Sequence, residues 1–326
     1  MRVVTIMGGY TGTLCLQELV DQGDEVVGVV TYPGDPRPGT PPEASVKLTA
    51  DRNLLPVYQP PLERINTPEF VALLCKLQPD LLVSMHYPVI FNPSILEIPP
   101  LGCVNEHPSR LPAGRGMTPS YWHMLIGDTH NWISLHYLDP GIDTGDVISQ
   151  GSVEITPEDT GATSARKLSE EGHRIFREAL PLIREGKAPR TPQNQIEGVK
   201  SSYYSWKPWY AQITWDQPAE KIALHVRTLT HPKEVSSWTR EAYTFLGGRK
   251  VRVWEAKVAG ERWAKGGAQP GQILAVTGQG LLVQTGEGAV VLTDADVEGT
   301  EGAGLSDLFE FLSTGLPAFF ELRVIR

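Results

Sequence analysis

The first half of the chain alternates short apolar runs with helical patterns, and this alternation restricts the fold more than any other feature. Runs typical of buried strands lie at Val3–Met7, Glu25–Val30, Leu55–Tyr58, Asp80–Ser84 and Leu101–Asn105. Patterns typical of helices separate them at Thr11–Asp21, Pro42–Arg52 and Thr67–Leu77. Strands that alternate with helices form parallel sheets through right-handed crossovers. We therefore predict an α/β domain with an open, mostly parallel, twisted sheet whose ligands bind at the carboxyl ends of the strands.

The pattern changes after about residue 184. Up to that point the sequence predicts a helix at about 119–127, strands at Asn131–Leu138 and Val147–Ile155, and a long helix that Asp159-Thr160 caps and that ends near Arg184. Polar, proline-containing residues without periodicity follow. In the C-terminal part of the chain the sequence predicts one helix at Ala219–Leu229 and short strands at Lys250–Ala256, Gly271–Val276, Gly280–Thr285 and Ala289–Ala295. We predict a first domain at 1–186, a linker at 187–204 and a small β-barrel domain at 205–326.

Two segments hold side chains suited to acyl transfer. Val104–Pro112 contains Asn105 and His107, and Leu138–Gly145 contains Asp143. Moving an acyl group onto an amine needs hydrogen-bond donors for the oxyanion of a tetrahedral intermediate and a carboxylate that handles the amine proton. Each residue alone has an ordinary explanation as a loop histidine, a strand-end cap or a turn former. Their joint occurrence with Gly114–Pro119 between them favours a function.

These segments closely resemble the signature of the N10-formyltetrahydrofolate-dependent formyltransferases. That family includes methionyl-tRNA, glycinamide ribonucleotide, amino-sugar and hydroxyornithine formyltransferases. The resemblance implies a Rossmann-like catalytic domain followed by a barrel related to the OB fold, with N10-formyltetrahydrofolate as co-substrate. It also implies direct transfer without a covalent enzyme intermediate. Asn105 and His107 would stabilise the oxyanion, and Asp143 would orient His107 and accept a proton from the attacking nitrogen.

The resemblance also implies binding residues. The folate would contact residues after the fourth strand, residues of the Ser-Arg-Leu-Pro segment and residues of the aspartate loop: Met85, His86, Tyr87, Val89, Ile90, Ser109, Arg110, Leu111, Pro112, Asp139 and Gly141. Arg110 stands where the family usually has leucine, so it could instead face solvent or the acceptor. The acceptor would lie near the first strand end and the Arg-Gly segment, at Gly9, Tyr10, Thr11, Arg115, Gly116 and Met117.

Other chemistries fit the residues less well. Gly8–Gly12 reads Gly-Gly-x-x-Gly, and no acidic residue ends the second strand, so a dinucleotide site is a weak interpretation. Ser109 does not lie in a Gly-x-Ser-x-Gly elbow, and Cys103 lies on an apolar strand, where burial is more common than reactivity. His123, His130 and His136 lack metal-ligand spacing, so we expect no metal.

The charge of the chain bears on the acceptor. The formal net charge is −9, and residues 206–326 hold 13 Lys and Arg against 14 Asp and Glu. Neither half has the basic surplus on which binding to nucleic acid depends. The Tyr32–Glu43 loop also has Arg37 as its only basic residue, whereas the tRNA enzymes carry a basic insertion there. We therefore expect a small-molecule amine acceptor, either an amino-sugar nucleotide or a modified amino acid of specialised metabolism, and no nucleic-acid partner.

The sequence leaves three alternative functions open. They are a methionyl-tRNA formyltransferase, a formyltetrahydrofolate hydrolase with water as acceptor, and a non-catalytic folate-binding module. The aromatic cluster at 203–215 could wall an acceptor cleft or pack between domains, and core packing is the commoner role of such clusters. With three cysteines in no redox spacing, no membrane-spanning run and no leader pattern at Met1, we expect a cytoplasmic enzyme. A homodimer is one option for its assembly.

Overall fold

The fold is known from a computed structural model that describes residues 1–37, 40–230, 241–260, 267–299, 304–305, 308 and 320–321. The chain divides into two compact units. The first contains 1–123, 128–155 and 164–205, and the second contains 124–127, 156–163 and 206–326. The predicted second domain, 205–326, includes residues that lie outside the described ranges.

Strands and helices alternate up to residue 107, as the sequence pattern predicts. The strands before the linker are β1 (Arg2–Met7), β2 (Glu25–Val30), β3 (Val57–Tyr58), β4 (Leu81–Met85), β5 (Cys103–His107), β6 (Arg115–Gly116), β7 (His130–Tyr137) and β8 (Val147–Glu154). The helices are α1 (Gly9–Asp21), α2 (Val46–Arg52), α3 (Pro68–Leu77), α4 (Pro93–Leu96), α5 (Pro119–Ile126) and α6 (Gly161–Arg184).

Seven of these strands form one sheet in the order β3-β2-β1-β4-β5-β7-β8. The first five are parallel, whereas β7 pairs antiparallel with β5 and β8 pairs antiparallel with β7. The predicted mostly parallel sheet is confirmed. β5 is the last parallel strand, and β7 runs antiparallel to it. The turn that joins β7 to β8 therefore begins beside the amino end of β5, where the N–H of Leu138 donates to the carbonyl of Cys103 (2.8 Å).

Alternation along the strands produces a core on each face of the sheet. On β1, Val3 and Met7 belong to the cluster that contains Phe176 of α6, whereas Val4 and Ile6 belong to the cluster on the opposite face. All of these side chains are buried. Successive strand residues point to opposite faces, so a continuous apolar run is what a sheet covered on both sides requires.

The second unit contains a six-stranded antiparallel sheet in the order β12-β13-β14-β11-β10-β15. Its elements are α7 (Ala219–Leu229), β10 (Ala242–Leu246), β11 (Arg249–Val258), β12 (Ile273–Thr277), β13 (Gly280–Gln284), β14 (Ala289–Val297) and β15 (Phe320–Glu321). The backbone N–H of Phe320 donates to the carbonyl of Gly271 (2.9 Å), which joins β15 to the residues before β12. This contact closes the sheet into a barrel, as predicted, and β10 is a strand that the sequence pattern did not show.

A short strand, β9 (Tyr203–Tyr204), lies in the segment predicted as linker and pairs parallel with β6. In the part of the chain that the structure describes, no helix is long and apolar enough to cross a membrane.

Candidate active site

Strand β5 presents Asn105 and His107 on the same face of the sheet, because they are two residues apart. Asn105 lies beside Ser84 of β4 and opposite His136 of β7. His107 is 6% exposed, and Asn105 is half-buried. The intervening Glu106 points to the opposite face. The sheet therefore places two of the three predicted catalytic residues at its carboxyl edge, as the α/β rule requires.

The third residue, Asp143, lies in the turn between β7 and β8. Asp139 shapes this turn, since its Oδ1 accepts hydrogen bonds from the backbone N–H of Gly141 (3.1 Å) and from the hydroxyl of Thr144 (2.6 Å). Asp143 has a left-handed backbone with φ of 53°. Aspartate is one of the few residues other than glycine that tolerates this conformation. At Gly145 a Cβ atom would collide with the carbonyl of Tyr137, so only glycine fits there.

Asp143 and His107 face each other. The distance from Asp143 Oδ2 to His107 Nδ1 is 3.6 Å, which is within ion-pair range but longer than a hydrogen bond. The same Oδ2 accepts a hydrogen bond from the backbone N–H of Gly116 (2.9 Å). The other ring nitrogen, His107 Nε2, donates to the carbonyl of Gly114 (2.9 Å). A hydrogen on Nδ1 that points at the carboxylate therefore requires the doubly protonated ring.

His136 fixes the amide of Asn105. His136 is fully buried, and its Nδ1 donates to the carbonyl of Tyr137 (2.8 Å). Burial, together with the nearby His107, lowers the pKa of His136 to about 4, so the ring is neutral near pH 7. Its Nε2 is then a hydrogen-bond acceptor, and Asn105 Nδ2 donates to it (3.2 Å). The second Nδ2 hydrogen of Asn105 has no partner among the described residues.

A cavity of about 500 Å³ opens beside Asn105 and Asp143. Asn105, Asp143 and the end of β4 form part of its wall. The other lining residues are mostly apolar or aromatic: Tyr87, Pro88, Val89, Ile90, Phe91, Leu96, Gly116, Met117, Leu138, Asp139, Gly141, Ile142, Tyr203, Tyr204 and Ser205. An apolar cavity with a few polar groups is typical of a small-molecule site.

Tyr87 supplies a polar group in this wall. Its ring stacks on Tyr32 with centroids 5.1 Å apart, and its buried hydroxyl has no partner within the described chain. Burial raises the pKa of Tyr87 to about 12, so the hydroxyl keeps its hydrogen at neutral pH. It is available to a ligand as a donor or an acceptor.

Only some of the predicted folate residues line the cavity. Tyr87, Val89, Ile90, Asp139 and Gly141 do. The others lie elsewhere. Met85 and Leu111 are fully buried in the core, and Ser109 is buried with its carbonyl accepting a hydrogen bond from the Ser134 hydroxyl. The carbonyl of Pro112 accepts from the N–H of Ser202, and the carbonyl of the exposed His86 accepts from the Tyr32 hydroxyl. Arg110 stacks its guanidinium on the ring of Trp132, 4.4 Å from the centroid.

The predicted acceptor residues separate into two groups. Gly116 and Met117 line the cavity with Asn105 and Asp143. Arg115 precedes them on β6 and reaches toward Gln193. The remaining residues lie at the start of α1, where Tyr10 borders a separate hollow of about 630 Å³, the Thr11 hydroxyl donates to the buried Ser169, and Gly9 has a left-handed backbone.

The aromatic cluster at 203–215 also divides. Tyr203 and Tyr204 border the cavity, whereas Trp215 is buried in the second unit and stacks on Phe320 at 5.2 Å. Trp209 is half exposed. Within the described residues, no group of His, Cys, Asp or Glu side chains is arranged to hold a metal ion.

Glu106 is an unexpected feature of β5. It is 2% exposed, and neither carboxyl oxygen has a hydrogen-bond partner in the described part of the chain. Its carboxyl occupies space beside Gly172 of α6 that a Cβ atom would fill. Burial raises the pKa of Glu106 well above its usual value, because an ionised carboxyl would have to leave water without compensation.

We expect the substitution Glu106→Met to stabilise the chain by about 1–3 kcal/mol, because it removes an unsatisfied polar group from the core. The wild-type chain should also lose stability as pH rises above about 4.5, since its folded state holds the Glu106 proton more tightly than its unfolded state does. Glu106→Gln should lose this pH dependence and keep the cost of burial. Urea unfolding of the three proteins at pH 5, 7 and 8 measures both effects. Parallel pH profiles for wild type and Glu106→Gln would contradict the assignment.

Comparison with known proteins gives a consistent result over nearly the whole chain. Residues 1–180 match the family described as formyl transferase, and residues 207–311 match the formyl transferase C-terminal domain. A methionyl-tRNA formyltransferase of Pelotomaculum thermopropionicum is 34% identical over 311 residues, with 94% of each chain covered. One of Syntrophus aciditrophicus is 36% identical over 308 residues, covering 92% of this chain and 93% of the relative.

A solved structure supports the fold. WlaRD, a sugar 3N-formyl transferase crystallised in the presence of dTDP and 5-N-formyl-THF, superposes with a TM-score of 0.63 at 16% identity. The match covers 92% of this chain and 98% of that one. At this identity the likeness concerns the fold alone.

Proposed function

We propose that this chain, which belongs to the formyl transferase family, transfers the formyl group of N10-formyltetrahydrofolate to the amino group of methionyl-tRNA. The family predicted from the motif is confirmed, and the chain is an enzyme whose co-substrate is N10-formyltetrahydrofolate. The observation that supports the acceptor is the similarity to methionyl-tRNA formyltransferases along 94% of their length, which includes both domains.

This acceptor corrects two predictions. A small-molecule amine acceptor and the absence of a nucleic-acid partner are both wrong, because the chain is 34% and 36% identical to methionyl-tRNA formyltransferases over more than nine tenths of its length. The net charge led to the wrong acceptor prediction for a physical reason. A net charge of −9 sums over the whole surface and does not describe the part that contacts a ligand.

The reaction that we infer has one bond forming and one bond breaking. The neutral amine attacks the formyl carbon, so that a C–N bond forms and the carbonyl electrons move onto oxygen. The oxyanion then collapses and the bond from carbon to N10 breaks, which releases tetrahydrofolate. The amine loses one proton and N10 gains one, so the step needs a group that can hold a proton between them.

We assign the oxyanion to Asn105 and His107. The free Nδ2 hydrogen of Asn105 is directed by its bond to His136, and His107 is held on the same strand face by the bond from its Nε2 to the carbonyl of Gly114. Donors that are fixed before the reaction stabilise developing charge without reorganisation. The buried surroundings of both side chains strengthen this effect because water screens them little.

We assign the proton to Asp143. Its carboxylate lines the cavity beside Asn105, and Oδ1 is not used by the Gly116 N–H that binds Oδ2. That oxygen can receive the amine proton directly or through water.

The folate is proposed to bind in the 500 Å³ cavity. Tyr87, Val89 and Ile90 offer an apolar wall, and the backbone of the Asp139–Asp143 turn offers polar groups from the other side. The formyl carbon would then lie beside Asn105 and Asp143.

The proposed function is tested by following formylmethionyl-tRNA and tetrahydrofolate together. Purified protein and N10-formyltetrahydrofolate are incubated with methionyl-tRNA, with uncharged tRNA, with a panel of amino-sugar nucleotides and free amines, or with water alone. We expect equal amounts of both products with methionyl-tRNA only, formed about 10²–10⁴-fold more slowly by the Asp143→Asn protein. Tetrahydrofolate release in water alone would indicate a hydrolase. Transfer to a small amine without transfer to methionyl-tRNA would overturn the proposed acceptor.

A further inference from the structure

We propose that Gln193 is a positioning residue that holds Asp143 in place for the reaction, an inference that rests on the catalytic role proposed for Asp143. Gln193 lies in the segment predicted as a linker, between residues 1–180 and 207–311 that match the two family descriptions. It begins a short 3-10 turn, Gln193–Gln195, and is 5% exposed. A glutamine this buried in a polar segment needs an explanation.

The amide group of Gln193 binds the aspartate turn from outside the cavity. Its Nε2 donates to the carbonyl of Asp143 (2.8 Å) and to the carbonyl of Gly145 (2.7 Å). Both amide hydrogens are therefore used on the same turn. These two bonds connect the backbone on either side of Thr144, where the chain leaves the left-handed conformation of Asp143.

The orientation of this amide is fixed by Arg115. Gln193 Oε1 accepts from Arg115 Nη2 (2.6 Å) and from Arg115 Nε (3.1 Å). A guanidinium group only donates hydrogen bonds, so the oxygen must face Arg115 and the NH₂ group must face the two carbonyls. The reverse orientation would place donors against donors and acceptors against acceptors.

Gln193 therefore contacts two groups that position Asp143: the backbone of the turn that carries it, and the side chain of Arg115. Arg115 precedes Gly116 on β6, and the N–H of Gly116 is the donor to Asp143 Oδ2. Gln193 thus holds the backbone of Asp143 directly, and it holds the strand that binds the carboxylate through Arg115. The whole arrangement lies in the first unit.

Strand β9 of the same segment supports this arrangement. Its neighbour Ser202 accepts from the N–H of Arg115 through its carbonyl (3.0 Å), and the Ser202 hydroxyl accepts from the N–H of Gly114 (2.8 Å). The carbonyl of Gly114 is the partner of His107 Nε2. The segment at 193–205 thus fixes the loop that contacts His107 as well as the turn that carries Asp143.

The test compares Gln193→Met, Gln193→Glu and the control Gln195→Met. Gln195 is exposed, lies in the same turn and undergoes the same chemical change. Methionine keeps the length of the side chain without its hydrogen bonds. Glutamate keeps the oxygen acceptors for Arg115 but loses the two donors. We expect both Gln193 proteins to lose on the order of 100-fold in kcat, with the KM for folate changed less than about threefold, because small displacements of a reacting group have effects of this size.

Each outcome decides the proposal. Normal kcat in Gln193→Glu would show that the donors to Asp143 and Gly145 do not matter and would overturn it. An equal loss in Gln195→Met, or a loss explained by a lower folded fraction in thermal unfolding, would also overturn it. A fall in kcat of the two Gln193 proteins alone supports it.

A second readout does not depend on the acceptor. Hydrogen exchange, followed by mass spectrometry, should become faster in peptides that cover 114–117 and 139–146 of both Gln193 proteins and stay at the wild-type rate in Gln195→Met. If the wild-type protein transfers nothing to methionyl-tRNA and this exchange pattern still appears, the proposed acceptor fails while the positioning by Gln193 stands. Unchanged exchange at both peptides would overturn the positioning by Gln193, whatever the acceptor.

Discussion

The Asp143→Asn protein is expected to fold normally and to lose about 10²–10⁴-fold in kcat, which is the range that a positioned proton acceptor contributes. The substitution changes one oxygen to an NH₂ group and keeps the shape of the side chain. Its effect on the fold should be small, because the turn is held through the backbone carbonyls of Asp143 and Gly145 by Gln193. The loss is therefore chemical.

The loss of the carboxylate leads to this expectation. An asparagine cannot take up the amine proton, so the transfer loses its proton acceptor. This effect acts on the transition state more than on bound folate. The KM for N10-formyltetrahydrofolate should stay within a few-fold of the wild-type value.

The measurement is the steady-state rate of formylmethionyl-tRNA formation, together with direct binding of 5-formyltetrahydrofolate. Asp146→Asn is a matched control, since Asp146 lies in the same turn but is absent from the cavity wall. It should retain near-parental kcat. An Asp143→Asn protein that is folded, binds folate and keeps more than a tenth of the wild-type kcat would refute the proton role.

The sequence indicated the proposed catalytic residues through a motif that resembles the formyltransferase signature and that lies on one strand and one turn. The spacing of Asn105 and His107 places them on the same strand face, and a parallel sheet brings strand ends together. The placement of these two side chains, unlike their proposed roles, needs only the periodicity of the chain. The mostly parallel sheet and the barrel could be predicted on the same grounds, from alternation and from turn residues.

The residues that support the catalytic side chains could not be found in this way. His136 meets Asn105 because β7 runs antiparallel to β5 in a particular register, which the local pattern does not determine. Gln193 meets Asp143 because a polar segment returns to the sheet edge 50 residues later in the chain. Arg110 was predicted near the folate by position, yet Trp132 on a neighbouring strand provides a ring for it to stack on.

The charge of the chain illustrates another limit. Ion pairs such as Lys250 with Glu298 and Arg252 with Asp296 contribute no net charge to the surface around them. A net charge counted from the sequence therefore does not describe the charge of any one surface. The proposed acceptor rests instead on similarity to relatives of similar length.

Asn105→Ala is expected to lower kcat by about 10²–10³-fold, because removing one oxyanion donor typically costs about 2.7–4 kcal/mol. Asn105→Asp tests the loss of hydrogen-bond donation to the oxyanion without a change in side-chain packing. It keeps the shape of the side chain but places a negatively charged oxygen where the amide hydrogens were. That oxygen would repel the oxyanion, so Asn105→Asp should be at least as slow as Asn105→Ala.

His136 makes this comparison informative. Its Nδ1 hydrogen is held by the carbonyl of Tyr137, so its Nε2 can accept a hydrogen bond but cannot donate one while the ring is neutral. An aspartate at 105 would therefore meet an acceptor, and a rise in the pKa of His136 is the expected response. NMR titration of the His136 ring in the Asn105→Asp protein measures this change, and single-turnover formylation measures the loss of rate. A protein that shows the raised pKa and still transfers formyl at the wild-type rate would exclude Asn105 as an oxyanion donor, because its amide hydrogens would then be unnecessary for the step.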